Sequence, residues 1–151
     1  MLLTAWLCTT CIGNKTFDQY QQIPTAGWEK NDTLSFAVPP VGNNGLYSVD
    51  LGIRTIGSYP FMSLTLIVDI LREGTTLTDK EGWQEQRINC HLFDEKGHVK
   101  GYGINYYQYH FHVTSLALNI GDSLQVKVRH DMKREILPGI SNLGIQLRRE
   151  Q

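Results

Sequence analysis

A chain of 151 residues and 17.2 kDa is sized for one domain and can bury a hydrophobic core without disulfide staples. Its 14 Lys and Arg against 15 Asp and Glu leave a net charge of −1, so it lacks the long-range field that gathers DNA or RNA. With 41% hydrophobic and 19% charged residues it has enough apolar matter to fold and too little charge to stay disordered.

The first fourteen residues carry no charge, and Met1 to Leu7 form an apolar run that ends in Cys8-Thr9-Thr10-Cys11. A membrane-crossing helix needs about 20 apolar residues, more than this run or any later one supplies. A short apolar region, small residues and then a cysteine is the order of a bacterial lipoprotein leader, whose cysteine becomes the acylated first residue. We therefore expect a signal peptide over residues 1–10, lipidation at Cys11, a linker over 11–16 and one folded domain over 17–151. Apart from that covalent lipid no cofactor is expected. Cys8 fits less well, because Leu7 would take the small-residue position. The leader lacks a basic start, and Cys8, Thr9 and Thr10 are unusual residues before Cys11. The competing reading is an ordinary buried N-terminal segment.

Beyond the leader, apolar residues alternate with period two, which puts every second side chain on one face of a half-buried strand. The sets are Leu34, Phe36, Val38; Tyr47, Val49, Leu51, Ile53; Leu64, Leu66, Val68, Ile70; Ile88, Cys90, Leu92; Tyr107, Tyr109, Phe111, Val113; Leu124, Val126, Val128; and Leu143, Ile145, Leu147. An eighth strand, with poorer alternation, is expected within Phe17 to Ile23. Turn residues separate the runs: Gly42-Asn43-Asn44-Gly45, Gly57-Ser58-Tyr59-Pro60, Asp94-Glu95-Lys96-Gly97, Gly121-Asp122 and Pro138-Gly139. No helical stripe is sustained. Seven or eight strands with frequent turns predict an all-β, antiparallel β-sandwich of jelly-roll-like character.

Candidate chemistry is sparse. His110 and His112 share one strand face, as two imidazoles on a metal would. The next carboxylate along the chain, Asp122, is ten residues beyond His112, so no metal is expected there. Gly139-Ile140-Ser141-Asn142-Leu143-Gly144 has the wrong spacing for a nucleophile elbow. Cys90 shares the apolar parity of Ile88 and Leu92 and reads as a small core hydrophobe. No catalytic residue is nominated, and the chain is expected not to be an enzyme.

Aromatic residues beside Gly or Pro are the better lead, because a ring on a stiff loop loses little entropy on binding. Trp28, Tyr59, Phe61, Trp83 and Tyr102 all sit so. We expect Gly57 to Phe61 and Gly101 to Tyr106 to contribute to a partner-binding surface, through Tyr59, Phe61, Tyr102 and Tyr106. The alternative for such rings is that they plug the ends of the core. Lys127, Arg129, Arg148 and Arg149 make a modest basic patch that would suit an anionic membrane or acidic partner.

From Cys11 to Leu147 the order of motifs resembles the gliding motility lipoprotein GldH family. The carriers are Phe17-Asp18-Gln19-Tyr20, Ile23-Pro24, Gly27-Trp28, Tyr59-Pro60-Phe61 with Leu64, Gly101-Tyr102-Gly103, His130-Asp131-Met132-Lys133, Leu137-Pro138-Gly139-Ile140 and Leu143-Gly144-Ile145. The resemblance implies an outer-membrane lipoprotein facing the periplasm or cell surface, with no catalytic residues to carry over. Its implied partners are other gliding or envelope lipoproteins and secretion-complex proteins. A second hypothesis is a carbohydrate-binding β-sandwich with Trp28, Trp83 and Tyr102 on one platform.

Overall fold

The structure is a computed structural model and describes residues 15–74, 82–104 and 106–150. Cys11 and the rest of the leader lie outside the described residues. Ten strands and no helix are found among the described residues: β1 (Lys15–Gln22), β2 (Trp28–Glu29), β3 (Leu34–Val38), β4 (Gly45–Ile56), β5 (Ser63–Glu73), β6 (Gln84–His91), β7 (Tyr106–Leu118), β8 (Ser123–His130), β9 (Ile136–Leu137) and β10 (Ile140–Arg149).

Two four-stranded sheets, ordered β1-β10-β4-β7 and β3-β8-β5-β6, form the sandwich, and β2 pairs with β9 in a short ribbon. Every pairing of named strands is antiparallel. All seven predicted apolar sets fall on or at the end of a strand, and the expected eighth is β1. It begins at Lys15, two residues before the expected domain boundary. The two strands beyond the expected eight are β2 and β9, each two residues long and too short to show any period.

Alternation does what the pattern requires. Val49, Leu51, Ile53, Leu64, Leu66, Val68, Val126, Val128 and Leu143 are buried in one hydrophobic cluster drawn from both sheets. Burying each such side chain stabilises the fold by about 1.5–3 kcal/mol before conformational entropy is charged against it. Three members are less buried: Ile88, on the edge strand β6, and Tyr107 and Phe111, on the edge strand β7.

Trp28 is the largest fully buried side chain. Its indole N–H donates to the Asp32 carbonyl at 2.8 Å, and its ring meets His130 edge-on at 5.3 Å. His130 Nε2 lies 2.9 Å from the Trp28 carbonyl, so the ribbon is fastened to the end of β8 by both packing and a hydrogen bond. The sandwich has two poles. At the entry pole β1 begins, with Lys15 opposite Arg148 and Arg148 opposite Ser48. At the other pole Ile56 faces Tyr106, and Gln22 faces Asn142.

Candidate functional site at the aromatic pole

The segment before β7 is shaped by its turns. Asp94 Oδ1 accepts from the backbone N–H of His98 at 2.8 Å and of Lys96 at 2.9 Å. These bonds, that from His98 first, hold its carboxyl below the usual range. The chain then doubles back: Tyr102 and Gln108 exchange both backbone hydrogen bonds, at 2.9 and 3.1 Å. Gly103 makes this possible, because its φ of +140° suits glycine and a Cβ there would stand 1.7 Å from the Tyr106 carbonyl oxygen.

The four predicted binding residues separate. Tyr102 and Tyr106 are 82% and 63% exposed, with Ile104 between them at 89%. Tyr59 is only 7% exposed, and Phe61 is half-buried against the core. The Tyr59 hydroxyl donates to the Ser63 carbonyl at 2.8 Å, its ring meets Phe61 edge-on, and its backbone leans on Gly139, where a Cβ would fall 2.6 Å from Tyr59 Cα. Burial raises the Tyr59 hydroxyl pKa far above the ordinary phenol value. Tyr59 therefore does not reach the surface as the sequence reading expects; Pro60 and the Gly139 turn fold it inward, where it plugs the end of the core.

Around the exposed loop the apolar surface is concentrated. Nine large hydrophobic side chains are exposed among the described residues, and six of them, Ile56, Met62, Tyr102, Ile104, Tyr106 and Ile136, belong to segments that meet at this end of the sandwich. The other three are Leu46, Trp83 and Ile120. Beside the loop runs a groove of about 420 Å³, lined by residues that include Ile23, Pro24, Ile56, Tyr106 and Ile140; none of its lining residues is charged. Ile104 lies within the expected Gly101 to Tyr106 segment; Met62, beside a turn, and Ile56 and Ile136, at the end of β4 and in the two-residue β9, escape sequence reasoning because nothing local marks the surface they join.

The three rings of the proposed sugar platform share no face. Trp28 is fully buried, Tyr102 stands at the aromatic pole, and Trp83 lies just before β6 with the Lys127 ammonium 4.6 Å from its ring centre. His110 and His112 point outward on β7. His112 Nδ1 lies 3.0 Å from Asp50 Oδ1 and 2.8 Å from Ser48 Oγ. Ser, His and Asp are thus together, but Ser48 and Asp50 share one ring nitrogen, whereas a nucleophile relay needs them on opposite nitrogens. Ser115 Oγ, 3.4 Å from Nε2, donates to Glu150 Oε1 at 3.0 Å. Among the described residues no three of His, Cys, Asp and Glu gather at metal-binding range. Asp50 is invisible to local spacing because it arrives from β4. Cys90 is buried, and loss of water pushes its thiol up to about 12, which leaves it unreactive.

A family-wide sequence profile of the GldH lipoproteins matches residues 15–147. The chain belongs to the GldH lipoprotein family. Membership supports a gliding-motility-associated lipoprotein, and a lipoprotein family suggests membrane anchoring; this family is not known as enzymatic. A search of curated protein sequences finds no match. Among solved structures the chain is similar to a family 35 carbohydrate binding module from Clostridium thermocellum, at 13% identity and TM-score 0.41, covering 85% of this chain and 86% of that one. It is also similar to a protein from Sulfurospirillum deleyianum, at 8% identity and TM-score 0.46, covering 89% and 98%. A third is Eiger TNF from S. frugiperda, at 15% identity and TM-score 0.33, covering 91% and 94%. Likenesses this distant carry no argument about function.

Proposed function

We propose that the protein is an outer-membrane lipoprotein, anchored through acyl chains on Cys11, that serves as a structural or binding component of the envelope machinery for gliding motility and associated protein secretion. It works by binding rather than catalysis. The observation that carries this reading is the gathering of exposed apolar side chains at one pole. A patch of that kind on a folded domain marks a protein-interaction site. Tyr102, Ile104 and Tyr106 supply its raised part, and the uncharged groove beside them supplies a recess; Tyr59 and Phe61 support it from beneath. Its partners are other envelope or gliding lipoproteins and secretion-complex proteins.

Two variants of the full acylated chain test the reading. Tyr102→Ala with Ile104→Ala should keep the thermal midpoint and lose co-purifying envelope proteins, since truncating an aromatic anchor typically costs about 2 kcal/mol of binding or more. Retention of the same partners would count against the patch. Cys11→Ala should release the protein from the membrane fraction, because two acyl chains suffice for stable anchoring. Unchanged membrane association would rule out Cys11 as the anchor.

A further inference from the structure

Both ends of the described chain emerge at the entry pole: Lys15 opens β1 opposite Arg148, and Arg149 faces Tyr47 near the start of β4. Four residue steps lead from Cys11 to Lys15, so an acylated Cys11 can lie no more than about 14 Å from Lys15 along even a fully extended chain. The aromatic pole is at the far end of the same strands. From Ser48, level with Arg148, to Ile56, opposite Tyr106, there are eight residue steps. At the rise of a β-strand these span about 25 Å.

The surface near the anchor suits a headgroup layer. Leu46 and Ile120 are exposed there, and Arg149 approaches the same turn, its guanidinium donating to the Asn44 carbonyl at 2.8 Å while the Asn44 side chain accepts from the Ile120 N–H at 2.7 Å. Lys15 and Arg148 stand beside them, with Asp18 at 3.3 Å from Lys15 and Asp50 at 3.7 Å from Arg148. Aliphatic side chains flanked by Lys and Arg stems are the composition that settles at a membrane interface.

We propose that the domain stands on the anchoring bilayer with the surface around Leu46 and Ile120 against the headgroups, which holds the aromatic pole off the membrane and leaves it to a protein partner. The headgroup layer of one leaflet is only about 5–8 Å thick, so a pole displaced by about 25 Å is beyond its reach. Without the topology, an exposed loop bearing Tyr102, Ile104 and Tyr106 could equally be read as dipping into lipid. In the standing orientation the strand geometry keeps that loop about 25 Å from the headgroups. The inference rests on the reading of Cys11 as the lipid anchor.

The test uses the full acylated chain in vesicles of phosphatidylethanolamine and phosphatidylglycerol doped with a lipid whose headgroup carries a nitroxide, a short-range quencher of tryptophan. Ile120→Trp and Ile104→Trp are compared in a Trp83→Phe background, with buried Trp28 as the constant baseline. The added emission of Ile120→Trp should fall to about half or less, and that of Ile104→Trp should not change, as their depths require. Quenching of Ile104→Trp would show the loop in lipid and overturn the proposal. Vesicle-bound protein with neither site quenched would overturn the standing orientation while leaving the anchor intact. Protein that does not float with the vesicles would defeat the anchor reading, and the orientation with it. Photo-crosslinkers at the same two positions in cells should give protein adducts at 104 and lipid adducts at 120; the reverse pattern would also overturn it.

Discussion

Replacing Tyr59 by Ala removes a ring that is nearly out of water, an edge-on contact with Phe61 at 5.8 Å, and the hydroxyl that satisfies the Ser63 carbonyl. Large-to-small changes at buried aromatic positions cost about 3–5 kcal/mol when the cavity cannot collapse. A partly open pocket of about 100 Å³ already lies beside Tyr59, lined also by Phe93, Val99, Tyr107 and Tyr109, and loss of the ring would enlarge it. At about 2–4 °C per kcal/mol for a chain of this size, Tyr59→Ala should lower the thermal midpoint by about 6–20 °C. Tyr102→Ala, at an exposed ring, should stay within about 0.5 kcal/mol of wild type. Urea denaturation of both variants, with the slope checked for constancy, gives the numbers. A Tyr59→Ala loss below about 1 kcal/mol, or a Tyr102→Ala loss as large as that of Tyr59→Ala, would refute this division between core plug and exposed anchor.

Gly144→Val should destabilise by about 1–3 kcal/mol in urea, because a Cβ there meets the Tyr20 ring at 2.7 Å. The cost should shrink in a Tyr20→Ala background, and an equal cost in both would disprove the contact. His130 is buried, and desolvation, aided by Lys30, holds its pKa below the ordinary value against the opposing pulls of the Trp28 carbonyl, Asp131 and Glu135. The unfolded chain therefore takes the proton first: the stability from neutral His130 is complete above about pH 6.5 and is lost as pH falls from there towards the lowered folded value. Urea midpoints between pH 7.5 and 5.5 should show this loss, and His130→Asn, itself less stable, should remove that part of the slope; an unchanged slope would mean His130 does not set it.

Sequence reasoning reaches the long strands because a side chain's face is fixed by parity alone. Leu64, Leu66, Val68 and Ile70 alternate with Thr65, Ile67 and Asp69, and that register could not slip by one residue without placing Asp69 in the core. Ile67 is instructive: it occupies the outward parity yet is buried, standing between Arg87 and Arg129 on neighbouring strands. The stems of long cationic side chains can cover such a residue. Nothing within β5 itself signals that. The β2–β9 ribbon is equally silent, since its position depends on Trp28 reaching His130 across 102 residues.

The site is legible in proportion to how local its causes are. Gly101 to Tyr106 can be picked out because glycine beside aromatic residues states a local requirement, which the positive φ of Gly103 then meets. Whether a ring on such a turn points in or out is not local. Tyr59 and Tyr102 have near-identical surroundings in sequence, each with Gly and a turn nearby, but Gly139 packs against the backbone of Tyr59, and Ser63 takes its hydroxyl. Tyr102 pairs only through its backbone with Gln108, so its ring is left in water. The two tyrosines differ in what the far end of the chain brings to them. The polarity of the domain has the same origin: Lys15 and Arg148 meet at one pole, and Ile56 and Tyr106 at the other, only because β1, β10, β4 and β7 pair in that order. A chain entry at one pole and an apolar surface at the other are properties of the pairing, which no single stretch of the sequence contains.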